Sequence, residues 1–142
     1  MTPEEITLVE QSLPVLRPLL DDVAADFYRR LFAADPTVRQ LFTTDPAVQR
    51  EKFVAELEEI VGAIRHHDEF LRRARASGVR HAGYGVRAAH YRVVGAALLD
   101  ALGAALGPGW TAQLEEAWRL AYNLIAEVMM AGAAAARAAQ AG

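Results

Sequence analysis

The sequence contains no cysteine, a single lysine (Lys52) and no apolar run long enough to span a membrane. Absence of cysteine excludes a disulfide framework, a thiolate nucleophile and every metal site built on sulfur. The most hydrophobic region is interrupted by Asp100, Gly103, Gly107 and Pro108, short of the roughly 20 apolar residues a spanning helix needs. The start, Met1-Thr2-Pro3-Glu4-Glu5, is acidic and opens no apolar stretch, so no secretory signal is read and a cytoplasmic location is expected. An excess of positive charge is also missing. Fifteen basic residues face eighteen acidic ones, net −3, which argues against a nucleic-acid or anionic-membrane partner. Alternating strand patterns are lacking as well.

What remains is a half-apolar chain with helical spacing. At 142 residues and 53% hydrophobic, it fits one domain over 1–142 that buries about two-thirds of its unfolded surface. Thr2-Pro3-Glu4-Glu5 combines a cap hydroxyl, a proline at the first helical position and a glutamate at the third. Asp35-Pro36 and Asp45-Pro46 repeat the cap-then-proline device. Behind these starts, apolar residues recur at three and four: Ile6, Val9, Leu13 and Leu16, then Leu20, Ala24, Phe27, Tyr28 and Leu31, with Pro18 at the bend. A short helix is read over Pro36 to Leu41, and another from Pro46 carries Phe53, Leu57, Ile60 and Ile64 inward. Helices near Glu69 to His81 and Val86 to Leu106 follow, broken at Gly83-Tyr84-Gly85 and stopped at Gly107-Pro108-Gly109. The last carries Leu114, Trp118, Ala121, Ile125 and Val128 on one face. The expectation is all-α, with about seven helices.

Most common chemistries fail on residue type. Gly83-Tyr84-Gly85 lacks the strand and third glycine of a dinucleotide loop, and no Walker-type loop exists. Ser12 and Ser77 have no evident base or nucleophile elbow. No histidine pair at i, i+4 with a third ligand suggests zinc. Of four histidines, His66 and His67 sit beside Asp68 and Glu69 at a helix junction and read as solvated. His81 and His90 can each face inward, where an imidazole needs a partner or a metal. The plain reading of either is a core histidine bonded to a backbone carbonyl. The sharper one is an axial ligand to haem, since a porphyrin supplies four nitrogens and asks one more of the protein, in a dry slot.

The order and spacing of several segments carry a resemblance across nearly the whole chain. Asp26-Phe27-Tyr28-Arg29-Arg30-Leu31-Phe32, Pro36 to Leu41-Phe42, Arg80-His81-Ala82-Gly83-Tyr84-Gly85-Val86, Ala89-His90-Tyr91-Arg92-Val93-Val94-Gly95, Glu116-Ala117-Trp118 and Ala121-Tyr122 resemble bacterial single-domain haemoglobins. These are similar to the globin module of flavohaemoglobins. The resemblance implies a globin fold packed helix on helix around haem b. It implies His81 as the proximal ligand to iron, with His90 matching a histidine that does not bind it. Tyr91 matches a tyrosine beneath the macrocycle, Phe42 the phenylalanine that wedges it, and Val94 completes the slot. On the distal side, Tyr28 and Gln49 match the donors that face bound ligand, and Phe53 the apolar residue one turn after Gln49. A phenol or amide donor favours dioxygen, which takes on negative charge when bound, over carbon monoxide.

The implied function is reversible binding of dioxygen and other diatomic ligands, nitric oxide and carbon monoxide among them, at ferrous iron. The alternatives are nitric oxide dioxygenase or pseudo-peroxidase activity served by a separate flavin reductase, or a haem-free globin-fold sensor. Two departures bear on these. Where such globins often carry a glutamate on the last helix beside the proximal histidine, the matching residue is Ala133; Glu127, the nearest carboxylate, is expected elsewhere on the surface. The sequence also carries no flavin or nicotinamide module, so any redox turnover calls on a partner. A monomer or homodimer is expected.

Overall fold

The computed structural model describes residues 1–141 and is built from six α-helices: α1 (Pro3–Leu16), α2 (Leu20–Ala34), α3 (Pro46–Val61), α4 (His67–Gly83), α5 (Ala88–Leu106) and α6 (Ala112–Ala141). Three short 3₁₀ turns join them, at Arg17–Leu19, Pro36–Leu41 and Gly107–Gly109. The segment read from sequence as a seventh helix is the second of these turns. Six residues between an Asp35 cap and the extended Phe42 offer too few i→i+4 bonds to nucleate an α-helix. No strand occurs among the described residues, and no helix is long and apolar enough to cross a membrane.

The helix starts follow from local chemistry. Thr2 Oγ1 accepts from the Glu5 N–H while the Glu5 carboxylate accepts from the Thr2 N–H, closing the capping box. Asp35 and Asp45 accept from the N–H groups of Thr37 and Ala47. Each bond satisfies a donor that the first helical turn otherwise leaves unpaired. The Asp45 cap also sets the register of α3, and with it the face that Gln49 and Phe53 share.

Helix α6 packs against α1, α4 and α5, while α2 packs against α3 and α5. The crossing of α4 and α6 is the closest. A Cβ added to Gly78 would stand 2.0 Å from the Met129 carbonyl oxygen, and one on Gly132 2.6 Å from that of Arg75. Only glycine lets the two backbones approach so far. The core is filled by Leu16, Leu20, Leu31, Phe70, Leu102 and Trp118, each almost wholly enclosed, and burial of such side chains stabilises by about 1.5–3 kcal/mol apiece.

One polar pair lies in this core. The Trp118 indole N–H donates to Ser12 Oγ at 3.0 Å, and the Ser12 hydroxyl donates onward to the Val9 carbonyl at 2.7 Å. Ser12→Ala strands the buried indole N–H, and the expected loss is about 2 kcal/mol, within the range for an orphaned buried donor. Urea denaturation of both proteins checks this, as a lower midpoint at unchanged slope.

Candidate functional site

Tyr28 on α2 is the centre of an aromatic cluster. Its ring meets Phe42 edge-on at 5.3 Å between centroids, Phe53 at 5.8 Å and Phe27 at 4.9 Å, and lies nearly parallel to Phe32 at 5.8 Å. Phe42 follows the 3₁₀ turn in an extended conformation, φ −108° and ψ 95°, which carries its side chain out of the helical path. From α3, Gln49 Nε2 donates to Tyr28 Oη at 3.2 Å. Tyr28 therefore accepts from the amide and keeps its own proton to donate elsewhere. Burial pushes its phenol above the ordinary tyrosine value, with the Gln49 bond opposing, so the group remains a donor through neutral pH. Tyr28, Gln49, Phe42 and Phe53 are thus brought together.

A second group of candidate residues lies in the last turn of α4. His81 is half-buried, and its Nδ1 lies 2.7 Å from the Ser77 carbonyl oxygen and 3.2 Å from Ser77 Oγ. A carbonyl can only accept, so Nδ1 carries the proton and the lone pair resides on Nε2. Both hydrogen bonds of the ring are on Nδ1, which leaves Nε2 open. The helix ends two residues later, and Gly85 turns the chain with φ +87°, a region open to glycine and costly for other residues.

His90 is arranged the other way. Its Nδ1 accepts from the Arg87 N–H at 2.8 Å, capping α5, so its proton is on Nε2 and it has no free lone pair. His66 and His67 are exposed, His66 at the N-cap of α4 and His67 as its first residue. Among the described residues no group of three or more His, Cys, Asp or Glu could hold a metal ion.

Contacts join α4 and the turn after it to α3 and to the segment before Phe42. Arg80, beside His81, reaches Glu56 on α3 at 2.8 Å, and Arg73 donates to the Glu59 carbonyl at 2.8 Å. Leu41, just before Phe42, lies 3.5 Å from where a Cβ on Gly85 would stand. On α5, Tyr91 is buried and Val94 half-buried, three residues apart on one face. The Tyr122 hydroxyl of α6 donates to the Tyr91 carbonyl at 2.6 Å, fixing the start of α5. Burial raises the Tyr91 phenol too, with the charge of Arg137 opposing. Ala133 is buried and Glu127 exposed, so the position matched to a glutamate holds a methyl group.

These residues suit a flat apolar group that takes one nitrogen ligand. Tyr28, Phe32, Leu41, Phe42, Phe53, Val86, Val93 and Val94 pack on the core while staying only partly buried, an apolar surface a macrocycle would cover. His81 supplies an imidazole whose open nitrogen, Nε2, is defined by the bond at Nδ1. Phe32, whose ring meets both Tyr28 and Phe42, belongs to the cluster although its spacing alone does not mark it. Ser77, which has no evident base in the sequence, places its hydroxyl 3.2 Å from His81 Nδ1. Being wholly enclosed, Ser77 has no access to a substrate. Its position four residues before His81 was the available signal.

The globin family profile matches residues 25–129. The chain is 30% identical over 133 residues to a flavohemoprotein of Bordetella pertussis, covering 92% of this chain and 33% of that protein. It is 27% identical over 135 residues to a flavohemoprotein of Vibrio cholerae, covering 92% and 34%. The chain therefore spans about a third of the length of these curated relatives. Among solved structures, it superposes with TM-score 0.86 and 32% identity on an engineered carbene transferase derived from a candidate nitric oxide dioxygenase of Rhodothermus marinus, covering 100% of this chain and 99% of that one. A bacterial globin from Campylobacter jejuni shares the fold with TM-score 0.85 at 24% identity, covering 96% and 99%. With the globin profile matching most of its length, this chain belongs to the globin family.

Proposed function

We propose that the protein binds haem b with His81 as the protein ligand to iron. When bound, the haem supplies a ferrous centre that takes up dioxygen and other diatomic gases reversibly. The observation that supports this reading most is the His81 ring, with Nδ1–H spent on the Ser77 carbonyl and Nε2 free.

The remaining residues take roles set by chemistry and place. Phe42, Phe53, Tyr91 and Val94 would hold the faces of the macrocycle and keep water from them. Tyr28, protonated and anchored by Gln49, donates to a ligand that carries partial negative charge. A neutral ligand gains much less from that donor, which is the basis for discrimination between dioxygen and carbon monoxide.

Tyr28→Phe removes the donor while keeping the ring contacts. The dioxygen dissociation rate of the haem-loaded protein is expected to rise about tenfold, equivalent to roughly 1.4 kcal/mol for one hydrogen bond. Carbon monoxide release should change less than about twofold. Equal effects on both gases, measured by stopped-flow displacement, would remove Tyr28 from this role.

A second reading is nitric oxide dioxygenation, favoured by the Rhodothermus marinus neighbour's description and by the flavohemoprotein relatives. That reaction consumes an electron per turnover, which a flavin reductase would supply. Sustained nitrate formation with a reductase supplied distinguishes it from a single stoichiometric burst.

A further inference from the structure

Resting on the assignment of His81 as iron ligand, we propose that the Ser77 hydroxyl is a positioning residue that sets how strongly the His81 imidazole donates to the metal. Two oxygens of one residue face Nδ1: the Ser77 carbonyl at 2.7 Å and its Oγ at 3.2 Å. The carbonyl alone fixes the tautomer. The hydroxyl adds a second, weaker acceptor to the same N–H, and sharing a proton between two acceptors leaves more electron density on the ring.

The site is built rather than incidental. Ser77 is wholly enclosed and joins no other side chain. The next residue, Gly78, is pressed on the Met129 backbone, so α4 cannot slide or roll at this turn without displacing α6. The hydroxyl is therefore held at the ring by the tightest helix crossing in the molecule. The α6 position matched to a glutamate in similar globins is Ala133, which is buried and contributes no carboxylate. Among the described residues, the polar groups on the imidazole N–H are those of Ser77.

Ser77→Ala and Ser77→Cys separate hydrogen bonding from packing. Alanine deletes the oxygen; cysteine keeps a group of similar size whose sulfur accepts weakly. Both should fold, since each is small and tolerated in a helix. In the haem-loaded protein, removal of the acceptor is expected to lower the iron–histidine stretching frequency in resonance Raman spectra. It should also favour ferrous over ferric iron by about threefold, a typical value for one modest hydrogen bond. At 59 mV per tenfold for a one-electron couple, that is roughly 30 mV upward in midpoint potential.

Ala and Cys variants that shift together, both in potential and in frequency, support the proposal. A Cys variant that behaves as the parent while Ala shifts makes the role one of packing and overturns it. No shift in either variant overturns it as well. His81→Ala, run beside them, keeps the two claims apart. If that variant retains the parent spectrum, the ligand assignment itself fails; if it changes while the Ser77 variants do not, only the hydroxyl's role fails.

Discussion

His81→Ala is expected to fold and to lose its haem. The side chain is half-buried and its only bonds are to Ser77 one turn earlier, so alanine leaves no large cavity and strands no charge. Far-UV circular dichroism should match the parent. The Soret band relative to protein absorbance should collapse, with affinity for hemin down by about 100-fold or more. Loss of a residue that merely orients a ligand already costs about 10–100-fold, and here the ligand itself is removed. His90→Ala is the paired control. Its Nδ1 is spent on the Arg87 N–H, so the change removes a cap of α5, worth about 1 kcal/mol, and leaves haem binding in place. A His90 variant that goes colourless while the His81 variant stays red reverses the assignment. Free imidazole added to His81→Gly gives an independent check, since it can occupy the vacated position and restore the band.

Gly78→Ala is the second large effect, on stability. The new methyl group would stand 2.0 Å from the Met129 carbonyl oxygen and 2.5 Å from its Cα, all backbone atoms that cannot rotate away. Helices α4 and α6 must separate, and we expect a loss on the order of 3 kcal/mol, the upper part of the range for overpacked cores. Gly83→Ala, five residues later, meets nothing within 4 Å and has no positive φ, so it should be neutral or stabilise by up to about 1 kcal/mol. Chemical denaturation of the pair therefore separates tight packing from helix propensity. Equal stabilities would mean that the crossing is looser than its geometry indicates. Because Ser77 and His81 ride on the same turn, Gly78→Ala should also broaden the spectrum of any haem that remains.

The features legible in the sequence are those decided within a few residues. The Thr2, Asp35 and Asp45 caps depend on partners two or three positions away, and all three form as expected. Apolar spacing was enough for the long helices, with ends shifted slightly: α4 begins at His67 rather than near Glu69, and α5 at Ala88 rather than Val86. Spacing over only six residues cannot separate a 3₁₀ turn from an α-helix, which is why Pro36–Leu41 was read as the latter.

Long-range pairs were out of reach of local chemistry. Ser12 and Trp118 are 106 positions apart, and nothing near either marks the other. Tyr28 and Gln49, 21 positions apart, were linked only through the family resemblance, and the structure does bring them within hydrogen-bond distance. Ser77 and His81 differ in kind. Their i, i+4 spacing was visible, but a serine beside an inward histidine on a helix also fits ordinary core packing, and only the Nδ1 distances single it out.

With no cysteine in the chain and no cluster of three potential ligands among the described residues, the proposed iron centre would rest on one imidazole with a free nitrogen, that of His81. The apolar side chains left partly uncovered around Tyr28 and Phe42 are the surface such a group would close.

One absorption series decides whether this chain binds haem: the purified protein, supplied with hemin, recorded as ferric, then reduced, then reduced under carbon monoxide. One haem per chain is expected, with a strong Soret band and the sharp red-shifted carbonyl spectrum of a histidine-ligated ferrous haem. A folded protein that takes up no hemin and stays colourless would contradict it, and would favour a haem-free sensor built on the globin fold.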